Sequence, residues 1–270
     1  MSTPTPAAAT FAAASLWIVD LDGVVWLSGE PIGDVAAAVS ALRAHGIRVV
    51  FATNNSAPTN DELLTRLERI GIESSAADLA TSAAAAATLV QPGQSVRVLA
   101  DAGVLEALKA RNVACIDDGP VEAAIVGWNR SFDFDALTEI AAAARASGRL
   151  IGTNEDPTHP TPAGLVAGSG ALLAAVATAS GVTPEIAGKP HGPMAALMKE
   201  RFGFEDGDHS VVVVGDQPRT DGRLAERLGL AFALVDSGVT PPTARGFESS
   251  VAVRAPDFVS LVHTCLAAGG

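Results

Sequence analysis

The stretch Leu16-Trp17-Ile18-Val19-Asp20-Leu21-Asp22-Gly23-Val24-Val25-Trp26 decides how the rest of the chain reads. Its first four residues are apolar and two are β-branched, the pattern of a short buried strand. The strand runs directly into two carboxylates one residue apart, and Gly23 then permits the sharp turn that brings backbone groups close to a ligand. Carboxylates in this position belong at the carboxyl edge of a parallel sheet, where open α/β sheets bind their ligands.

Two further strands end in the same way. Residues 48–52 lead into Thr53-Asn54-Asn55, and residues 211–214 lead into Gly215-Asp216. Other strands are predicted over 96–99, 123–126, 149–151 and 231–235. Helices are predicted over 34–45, 60–70 and 219–228, each closed by a glycine where a left-handed C-cap is wanted. This alternation predicts an α/β fold with a mainly parallel sheet. The three polar strand ends are expected to converge on one crevice.

A chain of 270 residues exceeds the ~100–200 typical of one domain, so two are expected. Residues 81–183 lack polar strand ends apart from Gly152-Thr153-Asn154 and read as a separate lobe. Turn-rich GIESSAADLATS at 71–82 and the breaker-rich stretch 181–184 bound it. Residues 15–80 and 184–270 then form the core domain. Residues 1–14, MSTPTPAAATFAAA, have neither the positive n-region nor the Leu-rich centre of a signal peptide and are expected to form a disordered tail.

Composition limits the partners. With 48% hydrophobic and 18% charged residues the chain can bury a core. Aromatics make up only 4% and Tyr is absent, so Ala, Val and Leu must fill most of the interior. A net charge of −12 excludes a partner held mainly through phosphate backbone contacts, so no nucleic acid is expected. Cys115 and Cys265 can form neither a disulfide framework nor a thiol metal set, and two buried, reduced thiols are expected. No apolar run approaches the ~20 residues of a spanning helix; no membrane contact and a cytoplasmic location are expected.

The polar strand ends suit phosphoryl chemistry. Ionised Asp20 is a usable nucleophile toward phosphorus. A phosphate beside Asp20 and Asp22 needs compensating charge, which an octahedral Mg²⁺ on carboxylates and a phosphate oxygen supplies. Asp216 is the candidate for the remaining metal carboxylate, with Asp221 and Asn55 supporting the site from behind. Lys189, in Gly188-Lys189-Pro190, offers a compact cation for phosphoryl oxygens, and Thr53 and the Asn54 amide offer hydrogen bonds. Taken singly, each motif has a plainer reading: a turn with capping carboxylates, a helix-capping loop, a solvated lysine. Their order and shared position after strands favour the chemistry.

With these motifs in hand, the chain resembles the haloacid dehalogenase superfamily phosphatases of subclass IIA, the p-nitrophenylphosphatase-like enzymes, over nearly its whole length after the first residues. DLDGVVW with Gly29 and Pro31 matches the first motif, Thr53-Asn54-Asn55 the second, Gly188-Lys189-Pro190 the third and VGDQPRTDG from Val214 the fourth. The resemblance implies a Rossmann-like core with an α/β cap inserted between the second and third motifs. It implies phosphorylation of Asp20, with Asp22 protonating the leaving alcohol and then activating water. Asp20, the backbone carbonyl of Asp22 and Asp216 would hold Mg²⁺, and Thr53, Asn54 and Lys189 would bind phosphate. Cap-to-cap pairing into a homodimer is also implied.

The stretch Gly152-Thr153-Asn154-Glu155-Asp156, with Pro160-Thr161 and Gly168-Ser169-Gly170, resembles the family's cap pattern. In the fourth motif Gln217 and Gly222 depart from the family pattern, standing where many relatives have Arg and Ile. Asn154, Arg219 and His191 are candidate substrate contacts. Trp26 and Trp128 are expected mainly to pack, and His159 and His191 lack the partners of a metal site.

The leading reading is therefore a hydrolase of small phosphomonoesters such as phosphoglycolate, glycerol phosphate, sugar phosphates or nucleoside monophosphates. A phosphotransferase using the same intermediate is an alternative. A phospho-signalling or phosphate-binding module is another, against which the middle lobe and Asp22 both argue.

Overall fold

The computed structural model describes residues 6–27, 29–161, 164–238 and 251–269. They form two compact units. The first comprises the described parts of 1–52, 64–79 and 198–270, and the second those of 53–63 and 80–197.

The first unit is built on a six-stranded sheet in the order Val253–Ala255, Ala231–Val235, Val211–Gly215, Leu16–Val19, Arg48–Thr53, Leu79–Thr81. The central strands Leu16–Val19 and Val211–Gly215 are buried at every position, which explains their unbroken apolar runs, since helices cover both faces of such sheets. Leu16–Val19 is parallel to both neighbours, with Val19 opposite Val214 and Phe51. Asp20 therefore lies level with Gly215, the last residue of its strand.

The second unit has a five-stranded sheet in the order Pro184–Ile186, Leu150–Gly152, Ala123–Val126, Ser95–Leu99, Ala114–Cys115, parallel throughout. Helices Phe134–Ser147 and Ser169–Ser180 close its core around Ile140, Ala144, Leu150, Leu173 and Val176. An antiparallel hairpin, Thr158–Thr161 with Gly164–Ala167, extends from it. Helix Ser82–Thr88 buries nearly all of its alanines, and its N-cap Thr81 accepts the Ala84 N–H. Such small side chains allow the close packing that a chain poor in aromatics needs.

Three expectations are corrected. The first 14 residues are not a disordered tail throughout, because Pro6–Ala13 is helical and Phe11 is fully buried. Phe11 meets Trp17 edge to face at 5.5 Å, and the Trp17 indole N–H donates to the Phe11 carbonyl at 3.1 Å. Cys115 is exposed, on the edge strand of the second sheet, while Cys265 is buried. The helix expected over 219–228 begins as a π-helical turn, Pro218–Gly222, and becomes α-helical only over Arg223–Leu228. Short strands such as Leu79–Thr81, Pro184–Ile186 and Val253–Ala255 were not foreseen, for three residues are too few to show periodicity. Among the described residues, no helix is long and apolar enough to cross a membrane.

Candidate active site

Asp20, Asp216 and Asp221 come together in the first unit. Each offers one carboxylate oxygen, these oxygens lie within 4.8 Å of one another, and all three residues are buried. The sheet register sets two of them: the Asp20 N–H donates to the Val214 carbonyl at 2.9 Å, one residue before Gly215-Asp216. The Leu21 N–H then donates to Asp20 Oδ1 at 2.8 Å and orients the carboxylate. Asp221 is brought in by the π-helical turn, a form that recurs at functional sites, and its Oδ2 accepts the Gln217 N–H at 3.2 Å.

Two glycines make room for Asp216. Gly23 has φ +90, and a Cβ there would lie 2.7 Å from Asp216 Cγ; a Cβ on Gly238 would lie 1.9 Å from Asp216 Oδ2. Only hydrogen fits at either position. Three buried carboxylates this close repel one another unless a cation neutralises them. A set made only of oxygens suits a hard divalent ion.

Asp22 stands apart from that carboxylate set. Its Oδ1 accepts the Trp26 indole N–H at 3.0 Å, so Trp26, almost wholly buried, holds the Asp22 side chain. The sequence put Asp221 behind the metal carboxylates, whereas its oxygen lies within their cluster.

The other motif residues lie in the second unit. Asn54 is their centre. Its Oδ1 accepts the Lys189 N–H at 2.7 Å, and its Nδ2 donates to the Lys189 carbonyl at 3.1 Å and to Asp156 Oδ2 at 3.0 Å. The Asn54 carbonyl accepts from Asn154 Nδ2 and from Ser82 Oγ, both at 2.6 Å. Asn154 Oδ1 accepts the Asp156 N–H at 3.1 Å. Thr53 is buried and its Oγ1 accepts the Asn55 N–H at 3.0 Å; Asn55 Oδ1 accepts the Ala57 N–H at 3.2 Å. Lys189 is only 2% exposed, so the plain reading as a solvated surface lysine fails.

The candidate substrate contacts divide. Asn154 is buried with its side chain committed to Asn54 and Asp156. His191 Nε2 lies 2.8 Å from Glu155 Oε1, an acidic partner the sequence did not reveal. Arg219 is exposed within the π-helical turn. Gly222 faces the Phe232 ring, with a Cβ position 3.2 Å from Cε1, so this departure from the family pattern fits a tight contact. Trp128 is half-buried. Its indole N–H donates to the Ala167 carbonyl at 2.9 Å, His159 lies 5.5 Å from its ring and the Arg130 guanidinium stands over it at 5.8 Å. Sequence reasoning missed Ser82, Ser56 and Gly238. A buried serine tying loops together leaves no sequence pattern, and Gly238 lies far along the chain from the carboxylate it accommodates.

The fold and this carboxylate set define an α/β protein with a candidate cation site at the ends of its parallel strands. Residues 17–114 match the haloacid dehalogenase-like hydrolase family, and residues 186–261 match the family described as HAD-hydrolase-like. A D-glycerol 3-phosphate phosphatase of Mycobacterium tuberculosis is 35% identical over 82% of this chain, which spans 63% of that relative's length. An acid sugar phosphatase of Staphylococcus saprophyticus is 30% identical over 83% of this chain and 87% of its own. Among solved structures, the p-nitrophenyl phosphatase of Archaeoglobus fulgidus superposes with TM-score 0.85 at 27% identity, over 93% of this chain and 98% of that one. A magnesium complex of a glycerol phosphate phosphatase of M. tuberculosis superposes with TM-score 0.81 at 29% identity, over 92% and 76%. This chain belongs to the haloacid dehalogenase-like hydrolases.

Proposed function

We propose that the protein is a Mg²⁺-dependent phosphatase that hydrolyses small phosphomonoesters through an aspartyl-phosphate on Asp20. The buried cluster of Asp20, Asp216 and Asp221 carries this reading, because three carboxylates so close call for a divalent cation, and one of them opens the family's first motif. Asp216, Asp20 and the Asp22 carbonyl would hold Mg²⁺, and Asp221 is near enough to contribute. The ion supplies charge that offsets repulsion between the carboxylates and a phosphate dianion.

An Asp20 carboxylate oxygen attacks phosphorus, the bond from phosphorus to the ester oxygen breaks, and Asp22 gives its proton to the departing alcohol. Asp22, now ionised, takes a proton from water as that water attacks the aspartyl-phosphate and releases inorganic phosphate. The Trp26 indole holds the carboxylate that makes both proton transfers. Thr53 and Lys189 bind the phosphoryl oxygens. Residues 81–183 act as the cap that recognises the alcohol, with Trp128 and His159 as its aromatic surface.

Glycerol phosphate and acid sugar phosphates head the substrate panel, since relatives are named for them. Phosphate release should require Mg²⁺, stop with EDTA and fall by at least about a thousandfold in Asp20→Asn, the scale of losing a covalent nucleophile. Undiminished turnover by Asp20→Asn would overturn the assignment of the nucleophile. No turnover of any ester by folded, Mg²⁺-loaded protein would overturn the phosphatase reading.

A further inference from the structure

We infer that Asn54 is a positioning residue that acts through Lys189, and that its side chain does not bind the phosphoryl group. The inference rests on the reading of Lys189 as a phosphoryl ligand and corrects the expectation that the Asn54 amide donates to phosphate. A primary amide has two N–H donors. Both are engaged, one with the Lys189 carbonyl at 3.1 Å and one with Asp156 at 3.0 Å, and Oδ1 takes the Lys189 N–H at 2.7 Å. One side chain thus grips both polar groups of the Lys189 backbone. It is 9% exposed, and Lys189 is 2% exposed.

The grip is itself held in place. Asn154 Nδ2 and Ser82 Oγ both donate to the Asn54 carbonyl, and Asn154 Oδ1 accepts from Asp156, the residue that takes the other Asn54 proton. Two buried asparagines therefore join three loops, at 53–55, 152–156 and 188–190. Gly188 provides independent support. A Cβ there would stand 2.5 Å from Asn54 Oδ1 and 2.6 Å from the Thr153 carbonyl, so the loop can approach the amide only without a side chain. Asn154, saturated in the same way, belongs to this scaffold rather than to the substrate pocket.

The test is a double-mutant cycle on kcat/KM for p-nitrophenyl phosphate with Mg²⁺, using wild type, Asn54→Asp, Lys189→Met and the double variant, with melting curves to confirm folding. Asp at 54 keeps the acceptor, loses both donors and faces Asp156. Displacing Lys189 by a fraction of an ångström should cost about 10- to 100-fold. In the Lys189→Met background the same change should cost no more than about twofold, because the group it positions is gone.

Swapping the partners, Asn54→Asp with Asp156→Asn, should recover part of the loss. Should Asn54→Asp fail to fold, Asn54→Ser takes its place in the cycle. Multiplicative losses, or wild-type activity in the position-54 variant, would overturn the inference while leaving the role of Lys189 intact. Full activity in Lys189→Met would instead overturn the reading on which it rests.

Discussion

At the scale of single residues, Asp216 is held by what its neighbours lack. Gly23 and Gly238 close on its carboxylate from separate parts of the chain, and a methyl group on Gly238 would overlap Asp216 Oδ2. Gly238→Ala must therefore push the carboxylate aside. Overpacking of this kind costs about 1–3 kcal/mol of stability, but the larger effect is expected on Mg²⁺. The concentration of Mg²⁺ giving half-maximal activity should rise by roughly tenfold or more, which corresponds to at least about 1.4 kcal/mol of metal binding. A Mg²⁺ titration of activity decides it, and an unchanged midpoint would show that Asp216 tolerates displacement. That Asp20 and Asp216 would meet was legible in the sequence, because each directly follows an apolar strand. Gly238 was not. Its role depends on a backbone meeting a side chain 22 positions earlier, a fact of the fold alone.

At the scale of elements, strands with four or more buried residues were legible almost to their ends, since a continuous β-branched run has few alternative structures. The N-terminal helix Pro6–Ala13 was not. An almost unbroken alanine run shows no amphipathic stripe, and its one large residue, Phe11, gives no period. What holds it is aromatic packing: Phe11 against Trp17, and Trp17 edge to face with Phe258 at 6.2 Å. The π-helical turn was hidden for a related reason, for Pro218 through Gly222 contains no residue pattern distinguishing it from a helix start. Because Phe11 is fully buried, Phe11→Ala should destabilise the first unit by about 3–5 kcal/mol, the usual cost of deleting a buried aromatic ring. A denaturation midpoint within error of wild type would show that the helix adds nothing to stability.

At the scale of the whole molecule, the described residues form two compact units, and their grouping follows hydrogen bonds as well as composition. Segments 53–63 and 184–197 cluster with the second unit, where Asn54 is bonded to Ser82, Asn154 and Lys189, and Ser56 to Thr153, across loops. Each unit carries one cysteine, and their chemistry differs. Burial pushes the Cys265 thiol up to about 11 from an ordinary 9.0, while Cys115, on the edge strand of the second sheet, is exposed. At pH 8 Cys115 should react with a disulfide reagent in the native protein, although partial burial and then Asp117 raise its pKa and slow it. Cys265 should react only when the first unit opens.

The folded state holds the Cys265 proton more tightly than the unfolded state. Its contribution to stability is therefore fully present below about pH 9 and is lost as pH rises toward 11. A cation bound by Asp20, Asp216 and Asp221 stabilises the first unit by mass action. Mg²⁺ should accordingly slow labelling of Cys265 in mild denaturant and leave that of Cys115 unchanged, and Asp216→Asn should abolish the protection. Equal protection of both thiols by Mg²⁺ would mean that the two units open together rather than separately. Protection that persists in Asp216→Asn would move the cation away from these carboxylates.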